Sequence, residues 1–207
     1  MCNLNLRMFV SVLKIIIVKI IIVKQFICIY KMTNLNFIYT KVGDFGPVIL
    51  YIVASYLLWK KNTSFYYFQV GLFTCAILNL VLKGIFKQPR PSEDLEQFNL
   101  ALKNGYRFIF KNGIPYDIFG MPSGHSSASL FITTFVFICL KDKKVLLGFL
   151  LLSLIIMSQR VIDDHHTVFQ VVVGASVGIL YAYLFYFFTQ QNLKGFIRMK
   201  PDDNGPL

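Results

Sequence analysis

The sequence predicts an all-α protein, a polytopic transmembrane helix bundle with five spanning helices, or six if the N-terminal segment also inserts. Three observations carry that reading. Hydrophobic residues make up 56% of the 207 residues and charged residues only 15%, against roughly 25% charged in soluble domains. Apolar runs recur at 45–59, 65–82, 126–140, 145–157 and 168–188. Two connections, 60–64 and 141–144, are short and lysine-bearing, so the runs they join are antiparallel hairpins.

Taken in order, residues 1–31 form a hydrophobic, basic extension, 32–190 the membrane-embedded domain and 191–207 a polar tail. The extension is rich in Ile and Val but is interrupted by Lys14, Lys19 and Lys24. A central lysine costs about 2.5–3.5 kcal/mol on insertion, and each Ile or Val returns only about 0.3–0.6. The segment is therefore a marginal span, and a dispensable extension with Met32 as the alternative initiator is the favoured reading. Several later runs fall short of the ~20 residues that cross a bilayer. Their polar ends must then lie at the membrane boundary. The one long connection, 84–124, holds Ser92 as a helix cap, Glu93 and Asp94 in a first turn, and Gly105 as a stop. Leu95, Phe98 and Leu102 fall on one face, which predicts a short amphipathic helix on the membrane surface, a cover over the bundle's end.

Composition also excludes. The net charge of +11 is spread beside apolar runs and forms no basic tract, so nucleic acid is not the partner. Cys2, Cys28, Cys75 and Cys139 lie far apart, with no disulfide or zinc spacing.

Counting crossings across five helices brings Lys83, His125, Arg160 and His166 to one membrane face. All three histidines, His125, His165 and His166, lie there. Cations beside histidines at a membrane boundary are costly and mark a functional site. The stretch Met121-Pro-Ser-Gly-His125 opens the third apolar run. A helix start of this kind offers free N–H groups and a positive dipole end to an anion. Lysine and arginine clamp phosphoryl oxygens; one histidine can attack phosphorus while another protonates the leaving oxygen. No carboxylate cluster suits magnesium, so no metal or other cofactor is expected and the cations neutralise the charge themselves.

These residues fall into three ordered motifs: Lys83-x₆-Arg90-Pro91, Pro122-Ser123-Gly124-His125 and Arg160-x₅-His166. The chain thereby resembles the type 2 phosphatidic-acid phosphatase superfamily over about 83–178, with the helical layout extending it to about 45. The resemblance implies that His166 is the nucleophile forming a phosphohistidine and His125 the general acid. It implies that Lys83, Arg90 and Arg160 clamp the phosphate, completed by Ser123 and the Gly124 N–H. The five-residue spacing from Arg160 selects His166 over His165.

Two positions depart from the family pattern. Gln159 stands where a Ser usually precedes the Arg, and Gln170 where an Asp usually follows the nucleophile by four residues. A Gln carbonyl can accept the imidazole proton and fix the ring but cannot stabilise imidazolium by charge; Asp163 or Asp164 is the alternative source of that charge. His166-Thr167-x-x-Gln170 is most similar to the dolichyl-diphosphate phosphatase branch. The implied activity is a metal-independent membrane phosphatase acting on a lipid phosphate or polyprenyl diphosphate. The alternatives are a catalytically silent membrane scaffold or a glucose-6-phosphatase-like enzyme. Partners are the lipid substrate and membrane lipids, and self-association as a homodimer is left open. Lys60, Lys61, Lys141, Lys143, Lys144, Lys194, Arg198 and Lys200 lie on the face opposite the site. Only Lys41, Lys87, Lys103, Arg107 and Lys111 act as anchors on the site face. That bias predicts a cytosolic C-terminus and a site facing the lumen or the extracytosolic side, and the expected location is the endoplasmic reticulum or another endomembrane.

Overall fold

The structure, a computed structural model, describes residues 34–196 apart from Asn112. Expectations about residues 1–31, the Met32 start, Arg198, Lys200 and the end of the tail lie outside those residues. The element order is α1 (Asn34–Leu58), α2 (Asn62–Phe86), α3 (Leu95–Lys103), β1 (Phe108–Lys111), β2 (Ile114–Asp117), α4 (Gly124–Leu140), α5 (Lys143–Ile162) and α6 (Val168–Phe196). Four helices, α1, α2, α5 and α6, are long and apolar enough to cross a membrane. With the shorter apolar α4 they form the predicted helical bundle of an integral membrane protein. At ~1.5 Å per residue, α4 measures ~25 Å, so its polar start sits near the membrane boundary.

Helix α5 extends beyond its apolar run because a polar residue caps its start. Asp142 accepts hydrogen bonds from Lys144 N at 2.7 Å and Val145 N at 3.4 Å, starting α5 ahead of its apolar run. α4 is the central helix and packs on α1, α2, α5 and α6. At its N-terminal half α6 comes very close: a Cβ at Gly174 or Gly178 would strike the backbone of Ser123 or Ser127. At its C-terminal half the space is filled by aromatic rings. Phe131 stacks on Phe135 at 5.7 Å, and Phe68 meets Phe135 at 5.9 Å. Within a bilayer such rings hold the helices together by packing against one another, since lipid is as apolar as they are. Outward faces of the long helices carry Phe73, Ile85, Leu147, Leu184 and Phe187, exposed in the isolated chain as lipid-facing side chains would be.

The long connection differs from expectation in two ways. The cap of α3 is Asp94, not Ser92; its carboxylate accepts from Glu96 N at 2.8 Å and Gln97 N at 3.4 Å. Phe98 of α3 is buried against Phe119 and Ile118, whereas Leu95 faces outward at 61% exposure. The second difference is an antiparallel hairpin, β1 with β2, registered Phe108↔Asp117 through Lys111↔Ile114. Gly113 stands in its turn at φ +78°, a conformation that suits glycine. The hairpin lies beside the end of α2 and carries Tyr116 and Asp117 toward the site.

Candidate active site

At one end of the bundle a cavity of about 1180 Å³ opens. Its polar end is lined by Lys83, Arg90, His125, Arg160, His165 and His166, and its apolar part by Val48, Tyr51, Leu72, Ala76 and Ile132. Seven parts of the chain converge here: α1, the ends of α2 and α5, the start of α4, β2, the loop that carries Arg90 and the loop before α6. Gly124 also lines the cavity; Ser123 and Gln170 do not. Ser123 is fully buried beneath the start of α4, accepting from the Ser126 hydroxyl at 3.0 Å. Its backbone N–H donates to the Gln170 carbonyl at 3.1 Å, tying α4 to α6 at the site.

His166 is 3% exposed, and both ring nitrogens have partners. Arg90 Nη1 lies 3.4 Å from Nε2, and Gln170 Oε1 lies 3.3 Å from Nδ1. A guanidinium can only donate and a carboxamide oxygen can only accept. The proton therefore sits on Nδ1, and Nε2 presents its lone pair. Gln170 is itself held at both ends: its Nε2 donates to the Pro89 carbonyl at 2.9 Å, and its Oε1 also accepts from Thr167 N at 3.2 Å. Burial, then the Arg90 and Lys83 charges, push the His166 imidazole down to about 2, so it is neutral at pH 7. Burial and Arg160 also lower His165.

The three cations already have partners. Lys83 Nζ donates to the Phe119 carbonyl and lies 3.9 Å from Asp117 Oδ2. Arg90 lies over the Tyr116 ring at 4.6 Å and donates through Nε to the Asp117 carbonyl at 3.3 Å. Arg160 pairs with Asp44 Oδ1, and its Nε donates to Gln159 Oε1 at 2.5 Å. The imidazole of His125 reaches the Asp44 carbonyl oxygen at 3.3 Å through Nε2, which must donate that bond. Among the described residues there is no group of three or more His, Cys, Asp and Glu side chains arranged to hold a metal.

Residues 65–194 match the PAP2 superfamily. The chain belongs to the PAP2 superfamily. It is also 30% identical over 157 residues to the dolichyldiphosphatase of Saccharomyces cerevisiae, a match covering 69% of this chain and 60% of that relative's length. No solved structure matches significantly.

In this PAP2 superfamily chain the structure adds residues that the motifs did not single out. Asp44 sits on α1, outside all three motifs, and faces Arg160 and His125 only because α1 packs along α5. Asp117 joins Lys83 to Arg107, whose Nη2 lies 3.1 Å from its Oδ2. The Asn-Gly pair was the one signal that could have placed Tyr116 and Asp117 on a hairpin. Gln159, read as a departure from the motif, is fully buried and holds both Arg160 and Asp163, the latter at 2.5 Å. Asp163 is thereby engaged by Gln159, while the contact to the His166 ring is made by Gln170.

Proposed function

We propose that the protein is a membrane phosphatase that hydrolyses a lipid phosphate, with a polyprenyl diphosphate as the preferred class, through a phosphohistidine. His166 Nε2 attacks the terminal phosphorus. Lys83, Arg90 and Arg160 take the phosphoryl oxygens, together with the backbone N–H groups at the start of α4, while buried Ser123 shapes that start from below. His125 gives its proton to the leaving oxygen as the phosphorus–oxygen bond breaks. Water then attacks the phosphohistidine, with His125 recovering the proton, and inorganic phosphate leaves. Gln170 keeps the Nδ1 proton in place throughout, so Nε2 stays nucleophilic. Charge on the transferring group is met by fixed cations in a partly buried site, where such contacts act strongly.

The observation that carries this reading is the fixed His166 tautomer, with its lone pair at the cation-ringed end of a cavity whose other walls are apolar. The relative's name, dolichyldiphosphatase, supports the diphosphate class. The apolar lining supports a lipid chain over a sugar phosphate, and the intact set of histidines and cations supports an enzyme over a silent scaffold. The lysine bias supports a site facing the lumen or the extracytosolic side. The test is phosphate release by full-length protein in detergent from farnesyl diphosphate, phosphatidic acid and glucose 6-phosphate, with EDTA present. Release from the lipids, fastest from the diphosphate and unaffected by EDTA, is expected. Release from glucose 6-phosphate alone, or a need for added magnesium, would overturn the proposal.

A further inference from the structure

Helix α1 comes against α5 along two glycines. A Cβ at Gly43 would strike the Gln159 side chain, and one at Gly46 the Ile156 side chain. Residues three apart share a helix face, so the two helices meet along one seam, which Tyr39 extends by a hydrogen bond with Ser158 Oγ at 2.8 Å. The seam brings Asp44 to Arg160, and Asp44 lines the cavity with its side chain 37% exposed. An anion on the wall of a site that receives anions opposes their arrival, so its presence there calls for an offsetting role.

That role lies in how Arg160 is held. A guanidinium has two donor edges, Nε with Nη2 and Nη1 with Nη2. On Arg160 the first edge meets two acceptors, Gln159 Oε1 on Nε at 2.5 Å and Asp44 Oδ1 on Nη2. Gln159 belongs to the same helix and moves with Arg160; Asp44 ties the edge to a second helix. We propose that Asp44 is a positioning residue for phosphoryl transfer, holding one edge of Arg160 so that its Nη1–Nη2 edge meets the phosphoryl oxygens. This rests on the phosphatase reading above, which puts Arg160 in the clamp. A fork must be aimed to bond two oxygens at once, and an arginine released at one edge can turn about its long side chain. The main-chain carbonyl of Asp44, which holds His125, is untouched when only the side chain is changed.

The test is a double-mutant cycle on full-length protein in detergent, comparing wild type, Asp44→Ala, Arg160→Ala and the double variant by kcat/KM for farnesyl diphosphate. Asp44→Ala alone should lose on the order of tenfold to a hundredfold, the range for a hydrogen bond to a charged group. In the Arg160→Ala background the same change should cost less than about twofold, because the group it acts through is gone. Asp44→Asn keeps an acceptor oxygen and should lose less, about threefold to tenfold; it replaces Asp44→Ala in the cycle if that variant does not fold. Where Arg160→Ala shows no turnover, the cycle is read as the rise in melting temperature that vanadate gives. That rise should be smaller in Asp44→Ala than in wild type, and the same in Arg160→Ala and the double variant. An equal loss in both backgrounds, the mark of a merely structural residue, overturns the inference, as does a wild-type value in Asp44→Ala. Release of phosphate by wild type from neither farnesyl diphosphate nor phosphatidic acid would instead sink the phosphatase reading, and this inference with it.

Discussion

The two histidines that face each other across the cavity are held by different kinds of group. His166 is oriented by a side chain, Gln170, which is itself tied to the Pro89 carbonyl. His125 is oriented by a main-chain oxygen, that of Asp44 on α1. The first arrangement fixes a proton on one nitrogen and leaves a lone pair on the other, turned toward Arg90. The second ties one N–H of His125 to a carbonyl oxygen and leaves its other nitrogen to carry the proton that the imidazolium would give to the leaving oxygen. A side-chain change can uncouple His166 from its support, whereas the support of His125 is built into the backbone of α1 and persists whatever residue occupies position 44.

That contrast is best broken at the rings themselves. His166→Ala should abolish turnover entirely. His125→Ala should lose about 10²–10⁴-fold, the usual worth of a general acid, and lose least on substrates with good leaving groups such as aryl phosphates. Steady-state rates on a leaving-group series check both. Equal losses across that series would mean that His125 binds substrate and does not donate a proton.

The support of His166 sharpens the contrast. Gln170→Ala should lower kcat on the order of tenfold with little change in KM, since one neutral hydrogen bond contributes about 0.5–1.5 kcal/mol. Gln170→Asp should do no better than Ala in this chain. The shorter side chain loses the donor to Pro89 and turns a carboxylate toward that carbonyl. Wild-type activity in Gln170→Asp would show that the Pro89 tie is unimportant.

A smaller effect concerns stability. The imidazole of His166 is lowered from 6.5 to about 2 in the folded protein, so the unfolded chain takes up a proton that the folded chain refuses. Above pH ~6.5 both states are neutral and the ring costs nothing; below it stability falls progressively until pH nears 2, with the loss about 2 kcal/mol at pH 5. Thermal unfolding in detergent at pH 7 and pH 5 should show a larger drop for wild type than for His166→Ala. Identical drops would mean that the ring is not held neutral.

Much of this was legible in the sequence, for physical reasons. Helices in a bilayer must satisfy their own backbone, so apolar length alone reveals them, and the spacing of Lys83, Arg90, Arg160 and the histidines brings them to one end. What stayed hidden depends on packing between distant segments. Asp44 meets Arg160 across 116 positions of sequence, and no local pattern encodes that. Asp94 displaced Ser92 as a cap because both can cap and only the docking of Phe98 chooses between them. The hairpin was signalled by Asn112-Gly113 but obscured by Pro115 in its second strand, a residue that argues against a strand unless it lies at an edge. Gln170 was readable as an acceptor; its second bond, to Pro89, was not.

The most direct test of the account is rapid-quench labelling of the full-length protein with a phosphorus-32 lipid diphosphate labelled in the terminal position. The account predicts an acid-labile, base-stable label in wild type, accumulating less in His125→Ala and absent from His166→Ala. Label that persists in His166→Ala but vanishes in His165→Ala would contradict it.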